Sequence, residues 1–483
     1  MKLKDLLNGL DILSATADRE AEITGVSYDS RSTAPGDVFV AISGEAVDGH
    51  RFIPMAVEKG AACVVCERVP EGNIPYVQVA NSRRALALMG GNWFDHPARE
   101  MTMVGVTGTS GKTTSSYLLK HLLESKLDAK VGLIGTNGNM IGDEFLHTEH
   151  TTPESYELHR LFRSMADAGC THVVMEVSSH SLTLERVAGI EYDVGLYTNL
   201  SQDHLDFHKT MEEYAAAKRL LFRQCKKGCV NLDDKWAGFM MEVADCPVST
   251  FSLERNDADL TAKDIRLSAN GVRFAAVTDS GLALTKLGIP GLFSVHNALG
   301  VMSVGLALGV SLDDCADAMS SARGVKGRLE IVPTDRDYSI IIDYSHKPDA
   351  LENVLKTLKP VTRGRLMALF GCGGDRDKAK RPIMGAIAAD NADLVIVTSD
   401  NPRTEDPDEI IREIVEGTKG KRTPVKVLCD RVEAIHWAID NAGPGDVILL
   451  AGKGHEDYQV VGHEKRHMDE REIVAEYLAA KRR

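Results

Sequence analysis

The chain has 483 residues, 43% of them hydrophobic and 26% charged, and a formal net charge of −14. That composition belongs to a soluble globular protein, and at roughly 150 residues per domain the length predicts about three domains. The acidic balance argues against a general nucleic-acid binder, although a local phosphate site needs only backbone N–H groups and a few cations.

In chain order, MKLKDLLNGLDIL reads as a short amphipathic helix, too polar through its apolar stretch for a signal peptide. DVFVAIS and AACVVCE read as short strands. Cys63 and Cys66 form the only CxxC among nine cysteines. With no second pair or histidine at zinc spacing, they read as core residues. Cysteines without a disulfide framework predict a reducing, cytoplasmic setting. No run approaches the ~18 apolar residues of a membrane span.

A break falls at Asp95-His96-Pro97. Beyond it the pattern becomes strand, loop and helix: MTMVGVTG, a glycine-rich loop, then TTSSYLLKHLLESK with apolar residues at helical spacing. VGLIGTN, HVVMEVSSH and VGLYTNLS read as further buried strands. Such alternation predicts an α/β fold, a parallel sheet with helices on both faces. Residues 255–290 look like β-rich decoration. A second boundary lies near Gly327-Arg328-Leu329-Glu330, and SIIIDYS, RLMALFGCGG, ADLVIVTSD and GDVILLAGKG predict a second α/β unit after it. Ligands of open α/β sheets sit at the carboxyl ends of the strands, where nearly every polar motif of this chain falls.

The sharpest motif is Thr107-Gly108-Thr109-Ser110-Gly111-Lys112-Thr113-Thr114. It follows a strand and opens a helix, as a phosphate loop must. Glycines let N–H groups turn toward phosphate oxygens, Lys112 would reach the β and γ phosphates, and the Thr113 hydroxyl would bind Mg²⁺. The strict pattern wants glycine where Val106 stands, so the loop is a variant. Glu176, at the end of a buried strand, is placed to hold a second Mg²⁺. The segment Asn199–His208 carries two histidines and two aspartates, which suit either a metal site or a polar loop.

Taken together, the motifs resemble the Mur ligases and the related folylpolyglutamate synthases. They run in family order: TGTSGKTT at 107–114, HTTPES at 150–155, EVSSH at 176–180, DHLDFH at 203–208, EEYAAAK at 212–218, NLDD at 231–234, HNAL at 296–299 and GRLE at 327–330. DYSHKPDAL at 343–351, FGCGGDRDKAKRP at 370–382, DNPR at 400–403 and AGKGHE at 451–456 follow. The resemblance implies three domains: a small N-terminal α/β UDP-binding domain (1–98), a central phosphate-loop ATPase with a parallel sheet (99–329), and a C-terminal Rossmann-like domain that binds an amino acid (330–483).

It also implies a reaction. A substrate carboxylate attacks the γ-phosphate of ATP, and an amine then displaces phosphate from the acyl phosphate. Two anions must approach, so cations must sit between them. Lys112, Glu176, Lys218 and His346 match the family's catalytic positions. Lys218 matches a lysine carbamylated by CO₂, which would turn a cation into an anionic Mg²⁺ ligand; read alone it is a helical surface lysine. Gly108, Thr109, Ser110, Gly111, Lys112, Thr113, Thr114, Asn297, Arg328 and Asp343 match ATP contacts.

For the substrates, Ser30 in YDSR resembles a uridine-diphosphate contact, and Thr151, Thr152, Ser178 and Arg186 match positions that face a UDP-muramoyl dipeptide. Leu184 stands where relatives can carry a contacting Gln, a hydrogen bond that leucine cannot make. Asp400-Asn401-Pro402-Arg403 resembles the recognition motif of diaminopimelate-adding members, with Arg376, Gly452 and Glu456 at the other contacts. A guanidinium holds a carboxylate through two parallel bonds. Diaminopimelate has a second carboxylate and lysine does not, so a buried Arg403 would select the former, and Glu456 would pair with the distal ammonium. The resemblance thus implies ATP-dependent addition of meso-2,6-diaminopimelate to the D-glutamate carboxylate of UDP-MurNAc-L-Ala-D-Glu, by a cytoplasmic monomer using ATP and Mg²⁺. Weaker alternatives are the same ligase adding L-lysine and a folylpolyglutamate-synthase-like ligase. A Rossmann oxidoreductase built on Gly371-Cys372-Gly373-Gly374 fails, because Arg376 stands where its third glycine belongs.

Overall fold

The computed structural model describes residues 1–44, 47–148, 150–322 and 324–481. They form two units, Met1–Asp259 with Gly300–Ser311, and Leu260–Leu299 with Leu312–Arg483.

In the first unit a five-stranded sheet runs Ile12–Ala15, Tyr76–Val79, Cys63–Cys66, Asp37–Val40, Gly25–Ser27. All neighbours are parallel except the edge strand Ile12–Ala15. The period of two sends Val38, Val40, Cys63 and Val65 into one core and Phe39, Val64 and Cys66 into another. The two cysteines therefore face opposite sides of the sheet as core residues. The expected N-terminal helix is only Leu3–Leu6. Gly9 turns the chain at φ 78°, and Ile12 onward joins the sheet instead.

The break at Asp95-His96 is a left-handed turn, φ 58° and 49°. Beyond it six parallel strands run Val248–Ser252, Gly228–Asn231, Val194–Tyr197, Thr102–Thr107, His172–Glu176, Val131–Gly135. An antiparallel extension, Gly138–Ile141 and Glu144–Leu146, continues the last of these. Helix Ser155–Asp167 buries Leu158, His159, Phe162 and Met165, a 3-and-4 spacing that gives it one apolar stripe. Tyr28, beside the small sheet, donates to Glu157 on that helix (2.7 Å).

The second unit holds the expected β-rich insertion as a meander, Leu260–Ser268, Gly271–Thr278 and Gly281–Leu287. Its main sheet runs Glu330–Val332, Ser339–Asp343, Val447–Ala451, Leu366–Phe370, Leu394–Val397, Val425–Val427, all parallel except the first. Ile340, Ile342, Met367, Leu369, Ile448 and Leu450 fill one face. The chain is thus α/β with parallel-rich sheets. Among the described residues, no helix is long and apolar enough to cross a membrane.

Candidate active site

Strand Thr102–Thr107 lies between His172–Glu176 and Val194–Tyr197, so three carboxyl ends meet around the loop that leaves it. The chain turns at Gly108 (φ 148°) and Gly111 (φ 85°) and enters helix Lys112–Leu127. A Cβ on Gly108 would collide with the Thr198 hydroxyl, so only glycine fits there. The neighbouring strand end holds the loop. Thr198 Oγ1 donates to the Ser110 carbonyl (2.7 Å), Thr109 N to the Asn199 carbonyl (2.8 Å) and Ser110 N to Asn199 Oδ1 (3.0 Å). Lys112 Nζ curls back onto the carbonyls of Gly108 (2.9 Å) and Thr109 (3.0 Å). Thr113 and Thr114 form the half-buried first turn of the helix.

Lys218 is not a surface lysine. It is 1% exposed, and its Nζ donates to the Gly108 carbonyl (2.8 Å) above the Tyr214 ring. Burial, and then the charge of Lys112, push its pKa well below the usual lysine value.

Glu176 is also 1% exposed, and two donors from one residue hold its carboxylate: Thr136 N to Oε1 and Thr136 Oγ1 to Oε2, both 3.0 Å. Thr136 Oγ1 lies 3.0 Å from Thr151 Oγ1. Thr152 Oγ1 donates to the Glu176 carbonyl (2.8 Å) and accepts from Ser178 N (3.2 Å). Arg186 Nη1 donates to the Thr152 carbonyl (3.1 Å). Four predicted dipeptide residues, Thr151, Thr152, Ser178 and Arg186, therefore meet at one strand end with Glu176. Beside them opens a cleft of about 650 Å³, lined by Tyr28, Asn139, His150, Glu154, Arg160 and Arg186 among others. Ser30 lies apart from it, buried with Oγ donating to Met55 Sδ (3.3 Å).

The histidine-rich segment 199–208 is a ring cluster. His180 lies edge-on to His204 and His208, and His208 Nε2 meets Ser179 Oγ at 2.8 Å. Burial lowers the His208 pKa to about 4, so the ring is neutral. Among the described residues, no group of three or more His, Cys, Asp or Glu is placed to hold a metal.

In the second unit a cleft of about 610 Å³ opens at the carboxyl ends of the main sheet. Arg376, Asp400, Asn401, Arg403, Gly452 and Glu456 all line it, together with His346. Pro402 is buried, and its carbonyl leaves no room for a Cβ on Gly374. Arg403 is half-buried rather than buried, sits at φ 52°, and donates to the Gly374 carbonyl (2.8 Å). Arg376 is exposed. Glu456 accepts from Lys453 Nζ (3.0 Å) and Asn401 Nδ2 (3.1 Å). His346 Nδ1 meets the Tyr344 carbonyl (2.9 Å), and burial lowers its pKa. Asp343 accepts from Leu329 N (2.8 Å) and from Ser345, and burial raises its pKa. The Arg328 guanidinium lies over the Tyr344 ring. Asn297 is buried on helix Leu292–Ala307.

Sequence reasoning missed Thr136, Asn199, Lys453 and Arg381. Thr136 and Asn199 each lie at the end of a stretch predicted as a strand, so the strand-end rule could have found them. Nothing local marks Lys453 or Arg381 as buried, yet both are 0% exposed.

Family models match three stretches: "Mur ligase family, catalytic domain" at 22–89, "Mur ligase middle domain" at 106–305 and "Mur ligase, glutamate ligase domain" at 327–454. A UDP-N-acetylmuramoyl-L-alanyl-D-glutamate–2,6-diaminopimelate ligase of Clostridium acetobutylicum is 45% identical over 99% of both chains. The ligase of the same name from Caldanaerobacter subterraneus subsp. tengcongensis is 46% identical, also over 99% of both. A solved structure of a ligase so named superposes with a TM-score of 0.77 at 32% identity, covering 100% of this chain and 99% of that one.

Proposed function

The chain belongs to the Mur ligase family, and from that premise we propose that it is an ATP-dependent ligase of peptidoglycan precursor synthesis. It joins meso-2,6-diaminopimelate to the D-glutamate carboxylate of UDP-N-acetylmuramoyl-L-alanyl-D-glutamate. We assign residues 1–98 to the uridine nucleotide, with Ser30 as a contact, 99–329 to ATP and the dipeptide, and 330–483 to the amino acid. The proposed setting is the cytoplasm, and the proposed form a monomer.

The observation that carries the choice of amino acid is one cleft holding both arginines, Asn401 and Glu456 at strand ends. An amino acid with a carboxylate at each end suits it, because the guanidiniums offer paired donors. Residues 108–114 bind the phosphates. Lys112 leaves its loop carbonyls for the β and γ phosphates and neutralises charge as the glutamate carboxylate attacks phosphorus. The bridging P–O bond breaks and ADP departs. The diaminopimelate amine then adds to the acyl phosphate, and phosphate leaves as the amide forms. Thr151, Thr152, Ser178 and Arg186 orient the dipeptide end. Asn297, Arg328, Asp343 and His346 are assigned to ATP.

Hydroxyl and carboxylate oxygens are the hard ligands that Mg²⁺ takes, and the donors here are of that kind. Thr113, Glu176 and a carbamate on Lys218 would hold Mg²⁺, which when bound neutralises charge between the two anions. The carbamate forms when the Lys218 amine adds to CO₂ and releases a proton.

Phosphate release from ATP, measured with the UDP-muramoyl dipeptide and either meso-diaminopimelate or L-lysine, tests the function. Release with diaminopimelate alone is expected. Release with lysine alone overturns the specificity, and release with neither overturns the function.

A further inference from the structure

The Gly452-Lys453-Gly454 turn follows strand Val447–Ala451 and carries an ammonium into the interior of the amino-acid cleft's wall. Lys453 Nζ donates to Asn401 Oδ1 (2.6 Å) and Glu456 Oε2 (3.0 Å) and lies 4.0 Å from Asp400 Oδ1. One fully buried cation thus touches three residues of the cleft, two from the segment after Leu394–Val397 and one from its own turn.

We propose that Lys453 is the positioning residue of this cleft and sets its preference for an amino acid ending in both a carboxylate and an ammonium, an inference that rests on the function proposed above. Its first effect is orientation. Asn401 Oδ1 accepts from Lys453 and from Val460 N (2.9 Å), so the amide is turned with its NH₂ toward Glu456 and the cleft. A carboxamide is nearly symmetric in shape, and only such donors decide which end faces the ligand. The second effect is on Glu456. Lys453 and Asn401 both bond Oε2, so the carboxylate is held by one oxygen, and the other oxygen is left to meet a ligand ammonium. The third effect is charge. Asp400 and Glu456 would together attract any cation, including the lone ammonium of lysine. Lys453 offsets one of these charges, so a distal ammonium is accepted best when a carboxylate accompanies it to Arg403 and Arg376.

The test is Lys453→Met, which keeps length and removes charge, in the full-length enzyme. Wild type is first shown to release phosphate with diaminopimelate; failure there overturns the function and this proposal with it, whereas a working wild type with an unmoved variant overturns the proposal alone. In the variant, KM for diaminopimelate should rise at least about tenfold, with KM for ATP and for the dipeptide nucleotide unchanged and kcat within about threefold. The preference for diaminopimelate over lysine should shrink by a similar factor. Because Lys453 acts through Glu456, the rise should be non-additive with Glu456→Gln in a double-mutant cycle. Unchanged KM for diaminopimelate, equal loss for all three substrates, or additivity overturns the proposal. If Lys453→Met does not fold, Lys453→Met/Glu456→Leu removes both partners of the 3.0 Å pair and is compared with Glu456→Leu alone. A rise smaller than the roughly tenfold expected for Lys453→Met alone then supports the proposal, and an undiminished rise in the pair overturns it.

Discussion

Replacing Arg381 by methionine should loosen the amino-acid cleft from behind. Arg381 is fully buried and holds Glu405 by a two-pronged pair, Nη2 to Oε1 (2.9 Å) and Nη1 to Oε2 (3.0 Å). Nη1 also reaches Glu413 (2.8 Å), and Nη2 reaches the Gly373 carbonyl (3.3 Å). The pair thus ties the loop bearing Arg376 to the loop bearing Arg403. Removing one partner of a buried pair costs roughly 3–5 kcal/mol. Glu405 keeps Lys378 (3.1 Å) and Asp375 N (2.6 Å), and the Glu413 side chain is 37% exposed, so the low end, about 3 kcal/mol, is expected. Calorimetry should show the transition of the second unit lowered by about 6–12 °C, at ~2–4 °C per kcal/mol. In the same protein at low temperature, KM for diaminopimelate should rise about tenfold or more while KM for ATP holds. The loss also has a pH signature. Arg381 first, then the Asp375 N–H, lower the Glu405 pKa to about 2 from an ordinary 4.5. A carboxylate lowered in this way stabilises the fold above its unfolded pKa and loses that contribution as pH falls through the folded one. The gap between wild type and variant should therefore be full above pH 4.5 and close toward pH 2. A stability change under about 0.5 kcal/mol, or equal rises in both KM values, would refute the reasoning.

Thr136→Val removes one of the two donors on Glu176, a bond to a charged group worth about 1.5–3 kcal/mol; the Mg²⁺ concentration for half-maximal turnover should rise by roughly tenfold or more. Lys218→Ala should lower kcat by at least about 10² and abolish any stimulation by bicarbonate, checked by phosphate release. Arg403→Ala should raise KM for diaminopimelate by about 30-fold or more, from a charge-assisted contact worth ~2–5 kcal/mol, with lysine unaffected. His159 is buried with its pKa lowered from 6.5 to about 4, chiefly by burial and next by His96. Its neutral form stabilises the fold above pH 6.5, and that contribution is lost as pH falls to about 4. His159→Phe should therefore flatten acid unfolding in that window by up to about 3 kcal/mol, read from urea midpoints against pH.

The local pattern was sufficient for the strands that end in polar motifs, because strand period, glycine turns and helix spacing are short-range properties. Thr102–Thr107, the loop at 108–111 and helix Lys112–Leu127 fall where the alternation and glycines put them. The four strands of the second unit that precede DYS, GCGG, TSD and AGKG do so as well. The N-terminal segment did not, because amphipathic spacing in MKLKDLLNGLDIL cannot weigh Gly9 against the pairing that Ile12–Ala15 gains from Tyr76–Val79.

Residue types and spacing pointed to a phosphate loop at a strand end, and the family resemblance pointed to dipeptide and amino-acid positions at others, Arg403 and Glu456 among them. Burial and partnership were decided only in three dimensions. Lys218 meets Gly108 across 110 residues of chain, Glu176 is held by Thr136 across 40, and Lys453 reaches Asn401 across 52. A lysine on a helix or in a turn looks alike in sequence whether water or a carbonyl meets its ammonium. Only the packing of distant strand ends removes the water, and that removal lowers the Lys218 pKa and leaves Lys453 bonded to Asn401 and Glu456.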